Sequence, residues 1–369
     1  MKIFAHRNLF LRIPRAITMG AFVLSSVAIG SAAYAGEDDD ADATSFSQVD
    51  HKVKGLKKRV KLLEAQVADL QTQLLPIEVS VDCTPENTIS DALAAHSEGT
   101  GLLTIRVTGT CTETVVISRS NVVLEGVGAA SVIQTPPNGV FGVSIVDNAS
   151  NVTVRDLTVN GGTAAILAGR GGHAVLKNVV AQQALSGVMA LDNGVLDVTG
   201  SSIRNNTQGV YAARGGVVSV SNSIVELNTL GVLSFKAGVV NLTSILPDGV
   251  TSVAATIVRN NSNGAVARAG GFIELADATI ENNQNFGIVV DTGSTVEFFA
   301  LSATGNRVAN NAVGGVLATR NANVVISDVR NTITANGRGI ICQNNPSYFA
   351  PAGFTVTGNL NGDIIGCTL

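Results

Sequence analysis

The chain has 369 residues, with 39 Gly, no Trp and only 14% charged side chains, a composition that favours a repetitive scaffold over a compact enzyme. Beyond residue 35 no apolar stretch of about 18 residues runs without polar interruption, which excludes a membrane span in the mature chain. The net charge is −4, and beyond residue 35 the 20 basic and 28 acidic residues give −8, so nucleic acid is not expected as a partner.

Residues 1–35 have the pattern of a secretory signal peptide. Four basic residues and no acidic ones accompany an apolar run over 17–33, which ends in Ala33-Tyr34-Ala35, a small-x-small cleavage pattern. We expect cleavage before Gly36, with an uncleaved anchor as the alternative and no Cys at the junction for a lipoprotein. The mature protein is thus predicted to be periplasmic, at the cell surface or extracellular. The acidic residues 36–45 are predicted to be a disordered spacer.

Residues 46–77 carry a heptad pattern that predicts a short coiled-coil stem. Apolar residues recur at steps of three and four, at Phe46, Val49, Val53, Leu56, Val60, Leu63, Val67, Leu70, Leu74 and Ile77. Arg59 and Glu64 have the spacing of a pair between parallel chains, which favours a homo-oligomer over a helix packed on its own domain. Val and Leu in the seam favour a dimer, while Gly55 and the short length leave a trimer open. Pro76 ends the helix.

The rest of the chain repeats with a period near 22 residues. One marker is Gly194-Val-Leu-Asp-Val198, Gly216-Val-Val-Ser-Val220 and Gly238-Val-Val-Asn-Leu242, and a second is an Asn and Gly turn that keeps the same step. Each repeat holds two or three short runs of alternating apolar residues, and no helical period follows Ala95. These features predict an all-β parallel β-helix, whose coils stack about 4.8 Å apart. A leucine-rich repeat and a β-propeller each need motifs that are absent.

Residues 78–369 resemble the right-handed, single-stranded parallel β-helix proteins of the pectate lyase and pectin lyase superfamily. The most specific match is the N-terminal segment 78–112, with Val81-Asp82-Cys83, Ile89 to Ala95 and Gly109-Thr-Cys111, which resembles that group's capping helix and first coils. In that superfamily an internal asparagine ladder lines one turn. The resemblance implies that role for Asn206, Asn228, Asn261, Asn283 and Asn311.

A charged column precedes the asparagine column by two residues. Its signs alternate through Arg204, Glu226, Arg259 and Glu281, which favours attraction between neighbouring coils and a role in the scaffold.

The four cysteines are predicted to form two disulfides. Cys83 and Cys111 bracket the first coils and Cys342 and Cys367 bracket the last, and a solenoid keeps its two ends apart. We therefore expect pairing within each end, including a disulfide-closed C-terminal end over 342–369. No metal site and no cofactor are expected, because the cysteines are not accompanied by histidines or close cysteine spacing.

No catalytic residue carries over from the enzymes of the superfamily. The resemblance leads one to expect clustered carboxylates, but Asp147, Asp156, Asp192 and Asp197 are scattered in the sequence. His173 is interpreted as a turn residue.

One column of turn residues suggests a ligand site. Arg170, Asp192, Arg214 and Lys236 each stand two residues before a turn glycine, with Arg268 close by in the next coil. Arg214 and Lys236 are like charges one coil apart, which predicts an anion-binding face, with solvated turn residues as the alternative. Insertions near 244–255 and 302–307 are expected to form the wall of a groove beside it.

The predicted function is therefore that of an exported, oligomeric, non-enzymatic β-helix that binds an acidic glycan or serves as an adhesin-like surface structure. A polysaccharide lyase, epimerase or hydrolase with an atypical site is the alternative. The feature that separates them is whether carboxylates and cations converge on one face once the coils are stacked.

Overall fold

The structure is a computed structural model that describes residues 43–73, 75–128, 131–244 and 255–367. The predicted signal peptide and most of the acidic spacer lie outside the described residues. Two units are distinguished, residues 1–64 and 65–369. Among the described helices, none has both the length and the apolar character needed to cross a membrane.

Helix α1 (Ala43–Gln73) corresponds to the predicted stem. It begins inside the segment predicted to be disordered and ends before Pro76, while Ile77, the last predicted seam residue, begins a strand instead. The reason is that Ile77 pairs with Leu103 of the solenoid. The seam side chains that are described within the helix are all at least 40% exposed: Val53, Leu56, Val60, Leu63 and Val67.

The remainder forms the predicted parallel β-helix, which has about 12 turns. From β2 onward, every coil adds one strand to each of three parallel sheets. Sheet I contains β1 (Ile77–Val81), β2 (Leu103–Val107), β5 (Val122–Gly126), β8 (Val152–Arg155), β11 (His173–Lys177), β14 (Val195–Thr199), β17 (Val217–Ser221), β20 (Val239–Thr243), β23 (Phe272–Ala276), β26 (Thr295–Phe299), β29 (Asn323–Ile326) and β32 (Ser347–Phe349).

The chain passes from sheet I to sheet II, then to sheet III, and back to sheet I. Sheet II contains β3 (Thr110–Thr112), β6 (Val132–Gln134), β9 (Thr158–Asn160), β12 (Val180–Gln182), β15 (Ser202–Arg204), β18 (Ile224–Glu226), β21 (Ile257–Arg259), β24 (Thr279–Glu281), β27 (Arg307–Ala309), β30 (Thr332–Thr334) and β33 (Thr355–Thr357). Sheet III contains β4 (Val115–Ile117), β7 (Phe141–Ile145), β10 (Ala164–Ala168), β13 (Ser186–Leu191), β16 (Gln208–Ala213), β19 (Leu230–Phe235), β22 (Asn263–Arg268), β25 (Phe286–Asp291), β28 (Gly314–Thr319), β31 (Ile340–Gln343) and β34 (Ile364–Ile365).

The core is a stack of inward-facing aliphatic columns. Leu196, Val218 and Val240 pair in register in sheet I and are fully buried. The turn glycines of the repeat are required because the coils approach closely there: a Cβ at Gly216 would lie 2.1 Å from the Ala190 carbonyl oxygen. One coil is therefore about 22 residues long, and its turn glycine lies where the backbones of neighbouring coils are in tight contact.

A buried asparagine ladder lines the turn from sheet II to sheet III. Asn228 Nδ2 donates to Asn261 Oδ1 at 3.1 Å and to the Ile203 and Glu226 carbonyls, while its own Oδ1 accepts from Asn206. The same bonding connects all the predicted members and extends through Asn336 to Asn359. This ladder satisfies polar groups that the turn buries.

The alternating charged column forms fewer direct pairs than the sequence indicated. Arg259 Nε lies 2.9 Å from Glu226 Oε2, but Arg204 bonds Gln182 and Glu281 is paired with Arg307. Neighbouring coils are thus linked by polar contacts, some between residues in direct register and some between diagonal residues.

Both ends of the solenoid carry the expected disulfides, Cys83–Cys111 and Cys342–Cys367. At the first end, helix α2 (Ile89–Ala95) packs Ile89 on the core, its Thr88 hydroxyl accepts from the Asp91 amide, and Glu113 accepts from two amides of its first turn. Two disulfides indicate an oxidising, non-cytoplasmic location.

Candidate functional site

The outer face of sheet I carries a continuous row of polar side chains. Asp197, Ser219, Asn241, Glu274 and Glu297 are aligned in register on successive strands. Each is the third residue after the turn that enters sheet I, and the strand alternation turns it outward. We call these five residues the sheet I row.

His173 lies beside the first member of this row. The sequence interpretation as a turn residue is wrong, because His173 begins strand β11, directly after the turn glycine Gly172. Its Nε2 lies 3.2 Å from Asp197 Oδ2, with the imidazole 46% and the carboxylate 24% exposed. Strand pairing places these two residues diagonally across adjacent strands, which spacing along the chain does not reveal.

Further charges lie on the same face. Arg155 Nη2 lies 2.8 Å from Glu125 Oε2, and Lys177 is exposed at the end of strand β11. Charges of both signs therefore share this face, but they form separate pairs along the axis and not one cluster. Of the aspartates that are scattered in the sequence, only Asp197 lies here, because Asp147 and Asp192 pair with arginines of the turn column.

Two stacked carboxylates lie at the other end of the row. Glu274 and Glu297 are direct neighbours on β23 and β26, and the Ser327 hydroxyl donates to Glu297 Oε1 at 3.2 Å. Burial, and then the charge of Glu297, raises the pKa of the Glu274 carboxyl above its usual range. Such a carboxyl keeps its proton to higher pH, which is a requirement for a general acid.

Apolar side chains border the row. Phe272 lies on the same strand as Glu274, two residues before it, and Phe299 lies two residues after Glu297 and is 44% exposed. In the centre of the row, Asn241 Nδ2 donates to Ser219 Oγ at 3.4 Å. The face thus combines aromatic surface with repeated hydrogen-bonding groups.

The predicted turn column lies along one border of this face, between sheet III and sheet I. Arg170, Asp192, Arg214 and Lys236 follow one another there in left-handed conformations, with φ between 46° and 51°. Arg268 does not join them, because it pairs in register with Phe235 and so belongs to the adjacent column.

The arginines of this column are already paired. Arg214 holds Asp192 with two hydrogen bonds of 2.6 and 2.9 Å, which lower the pKa of that carboxyl, and Arg170 lies 3.1 Å from Asp147. Arg268 lies 3.7 Å from Asp291. Lys236 instead lies over the Phe235 ring, 5.1 Å from its centroid, and within the described residues it has no ion pair. Lys236 is therefore the cation of the column that remains available to an anion.

The second insertion, 302–307, lies on the opposite border of the sheet I face. It follows a sheet I strand and precedes a sheet II strand, so it does not form a wall beside the turn column as expected. Residues 245–254 of the first insertion lie outside the described residues. The second is held by Asp277, which accepts from the Ser302 amide at 2.6 Å, and by Arg330, which donates to the Ser302 carbonyl. In the described parts of the chain, no three His, Cys, Asp or Glu residues are grouped so as to hold a metal ion.

These features define a polar face on a β-helix scaffold. A family model described as "Right handed beta helix region" matches residues 138–298. The fold agrees with this match and with the resemblance to the pectate lyase and pectin lyase superfamily.

Two solved structures are similar to parts of the chain. The A-module of the mannuronan C-5 epimerase AlgE4 from Azotobacter vinelandii is 15% identical, with a TM-score of 0.47 over 76% of this chain and 92% of that one. The GH136 lacto-N-biosidase from Eubacterium ramulus is 11% identical, with a TM-score of 0.33 over 88% of this chain and 73% of that one. No curated protein matches the chain.

Proposed function

We propose that this protein is an exported β-helix that binds a glycan along the outer face of sheet I without transforming it. The observation that carries the proposal is the sheet I row. Carboxylate, hydroxyl and amide groups repeat once per coil, and the phenyl rings of Phe272 and Phe299 flank them. An extended polysaccharide also repeats its set of hydroxyl groups once per sugar ring. One polysaccharide chain can therefore form hydrogen bonds with several coils.

The charge of the row restricts the ligand. Asp197, Glu274 and Glu297 would repel a polyanion, so the glycan bound here is uncharged or cationic. An acidic glycan, predicted from the turn column, would bind at Lys236 instead, because the neighbouring arginines are engaged by aspartates.

Affinity electrophoresis in gels that contain soluble polysaccharides tests the proposal. The mature protein should be retarded by at least one uncharged or cationic polysaccharide, and Asn241→Ala with Glu297→Gln should weaken that retardation. Thr104→Ala, in the same outward column four coils before Asp197, is the matched control. Unchanged retardation in the double variant would place the ligand elsewhere.

An enzymatic function is the second candidate, and the observation that favours it is the Glu274–Glu297 pair. Two neighbouring carboxyls, one with a raised pKa, are the groups that glycoside hydrolysis uses as acid and base. Incubation with the same polysaccharides, followed by assays for reducing ends and unsaturated sugars, separates the two functions. Binding alone yields no product, whereas product formation that Glu274→Gln abolishes would establish catalysis.

We further propose that α1 presents the β-helix as a homo-oligomer at the cell surface or in the periplasm. The support is the exposed Val and Leu seam, which is two residues wide in every seven and so matches a coiled coil better than packing on a globular surface. Multiple copies would multiply weak glycan contacts through avidity.

A further inference from the structure

A second groove runs along the turn from sheet II to sheet III, distinct from the sheet I face. Its volume is about 660 Å³. The floor is the buried asparagine ladder at Asn206 and Asn228. One wall is formed by the residues that precede the ladder and the other by the residues that follow it: Gln183, Asn205, Leu227 and Asn260 on the first, and Thr207, Thr229, Ser262 and Gln284 on the second.

The walls present hydrogen-bonding groups that the protein itself does not use. Within the described part of the chain, the side chains of Asn205, Thr229 and Asn260 make no hydrogen bond, and the contact seen on the second wall is Ser262 Oγ to Gln284 Oε1 at 3.3 Å. None of the lining residues is charged. The groove is therefore a strip of amide and hydroxyl groups repeated at the coil spacing, with no charge to attract an ion.

Leu227 is the unusual residue of this strip. Its backbone is left-handed, with φ of 58°, and its side chain is 53% exposed. The neighbouring coils have Asn at the same left-handed position, at Asn205, Asn260, Asn282 and Asn310, and Asn tolerates this conformation better than a residue with a bulky aliphatic side chain. The fold therefore does not require leucine here, and it accepts backbone strain and an exposed apolar group at the centre of a polar groove.

We propose that this groove is a second binding site, for an uncharged glycan chain laid along the solenoid axis. Leu227 supplies the apolar surface on which a sugar ring rests, and the amides and hydroxyls on both sides bond the equatorial hydroxyl groups of that ring and its neighbours. The absence of charge among the lining residues excludes the recognition of acidic or cationic groups. The site does not depend on the sheet I row.

The test uses gels containing galactomannan, xyloglucan or pullulan and compares wild type with groove variants in two backgrounds. Leu227→Asn should weaken retardation about tenfold or more, both in the wild-type background and in the Asn241→Ala, Glu297→Gln background. This is the effect of losing one leucine side chain that the bound glycan would bury. Added salt should leave the retardation unchanged. Leu360→Asn, a leucine 84% exposed at the far end of the solenoid, is the matched control.

The melting temperature distinguishes binding from a structural role. Because Leu227→Asn installs the residue that suits a left-handed backbone, its melting temperature should equal or exceed that of the wild type. Thr229→Val, on the opposite wall, gives a second probe if the first variant is altered in fold. Retardation that persists in both groove variants, or that disappears entirely in the sheet I double variant, overturns the groove site. If retardation is lost in the groove variants but not in the sheet I double variant, the groove site is supported and the sheet I face is not where these polysaccharides bind.

Discussion

His173, Asp197, Glu274 and Glu297 share one face although more than 120 residues of sequence separate the first from the last. Residues of the sheet I row have one feature in common in the sequence, which is their place in the repeat. Asp197, Ser219 and Asn241 are each the third residue after a turn glycine. Glycines and asparagines define the repeat, whereas the outward position between them carries varied residue types, so the sequence pattern alone does not indicate the row.

Glu274 leads to a prediction about pH. Its pKa is raised in the folded state, so the folded protein binds this proton more tightly than the unfolded chain does. The resulting stabilisation is complete below the unfolded pKa and is lost as pH rises through the folded pKa. Glu274→Gln should therefore raise the melting temperature at pH 7 and leave it unchanged near pH 3, where both states are protonated. Differential scanning calorimetry at both pH values tests this. An equal gain at both would show that packing, not charge, is responsible.

The turn column leads to a second prediction. Arg214→Gln with Lys236→Gln should weaken retardation by alginate or polygalacturonate at low salt, because it removes the available cation and its neighbour. The melting temperature at pH 7 should fall slightly, since Asp192 loses two hydrogen bonds. Because Arg214 lowers the pKa of Asp192, that loss should vanish at pH values below the folded pKa. Retention equal to that of the wild type would leave these residues as solvated turn residues.

At the scale of elements, the repeat determines strands and turns while the stem follows a different rule. The solenoid strands are two to six residues long and gain stability from the strands above and below them. The described seam side chains of helix α1 are instead exposed, although helices in proteins gain most of their stability from packing such an apolar face.

The stem therefore yields a prediction about assembly. The mature protein should be a dimer or trimer by light scattering at tens of micromolar, and Leu56→Asp with Leu63→Asp should make it monomeric with the β-sheet circular dichroism retained. Lys58→Asp, on the face away from the seam, is the control. A monomeric wild type would show that the helix packs on its own chain, the alternative left open by the heptad pattern.

At the scale of the whole molecule, contacts link each coil to its immediate neighbours, so stability is distributed along the axis. The terminal coils have one neighbour instead of two. The disulfides lie at these positions, where they restrict the unfolding of segments with the fewest partners.

Removing a disulfide should consequently have a local effect. Cys342→Ser with Cys367→Ser opens a loop of 25 residues, which is worth about 3 kcal/mol in the chain-entropy estimate. Hydrogen exchange should accelerate in β31 to β34 and remain slow in the central coils. Cys83→Ser with Cys111→Ser should accelerate exchange at the opposite end alone. A uniform loss of protection would contradict the distributed stability of the solenoid.

The sequence by itself determined the period, the parallel solenoid and the disulfide pairing, and the resemblance to a β-helix superfamily implied the asparagine ladder. The number of sheets came from the structure, because the repeat is compatible with two or three strands. These follow from local rules: alternation defines a strand, Gly and Asn mark the tight turns, and equal spacing makes each sequence column a stack. The tertiary structure alone decided which charges meet. Arg214 could face Lys236 or Asp192, and the rotamers and the register chose Asp192, while diagonal contacts joined His173 to Asp197 and Arg307 to Glu281. Several possible partners on neighbouring coils lie at similar distances from one charged residue, so small differences in side-chain orientation decide which pair forms. The linear sequence carries no information about that orientation.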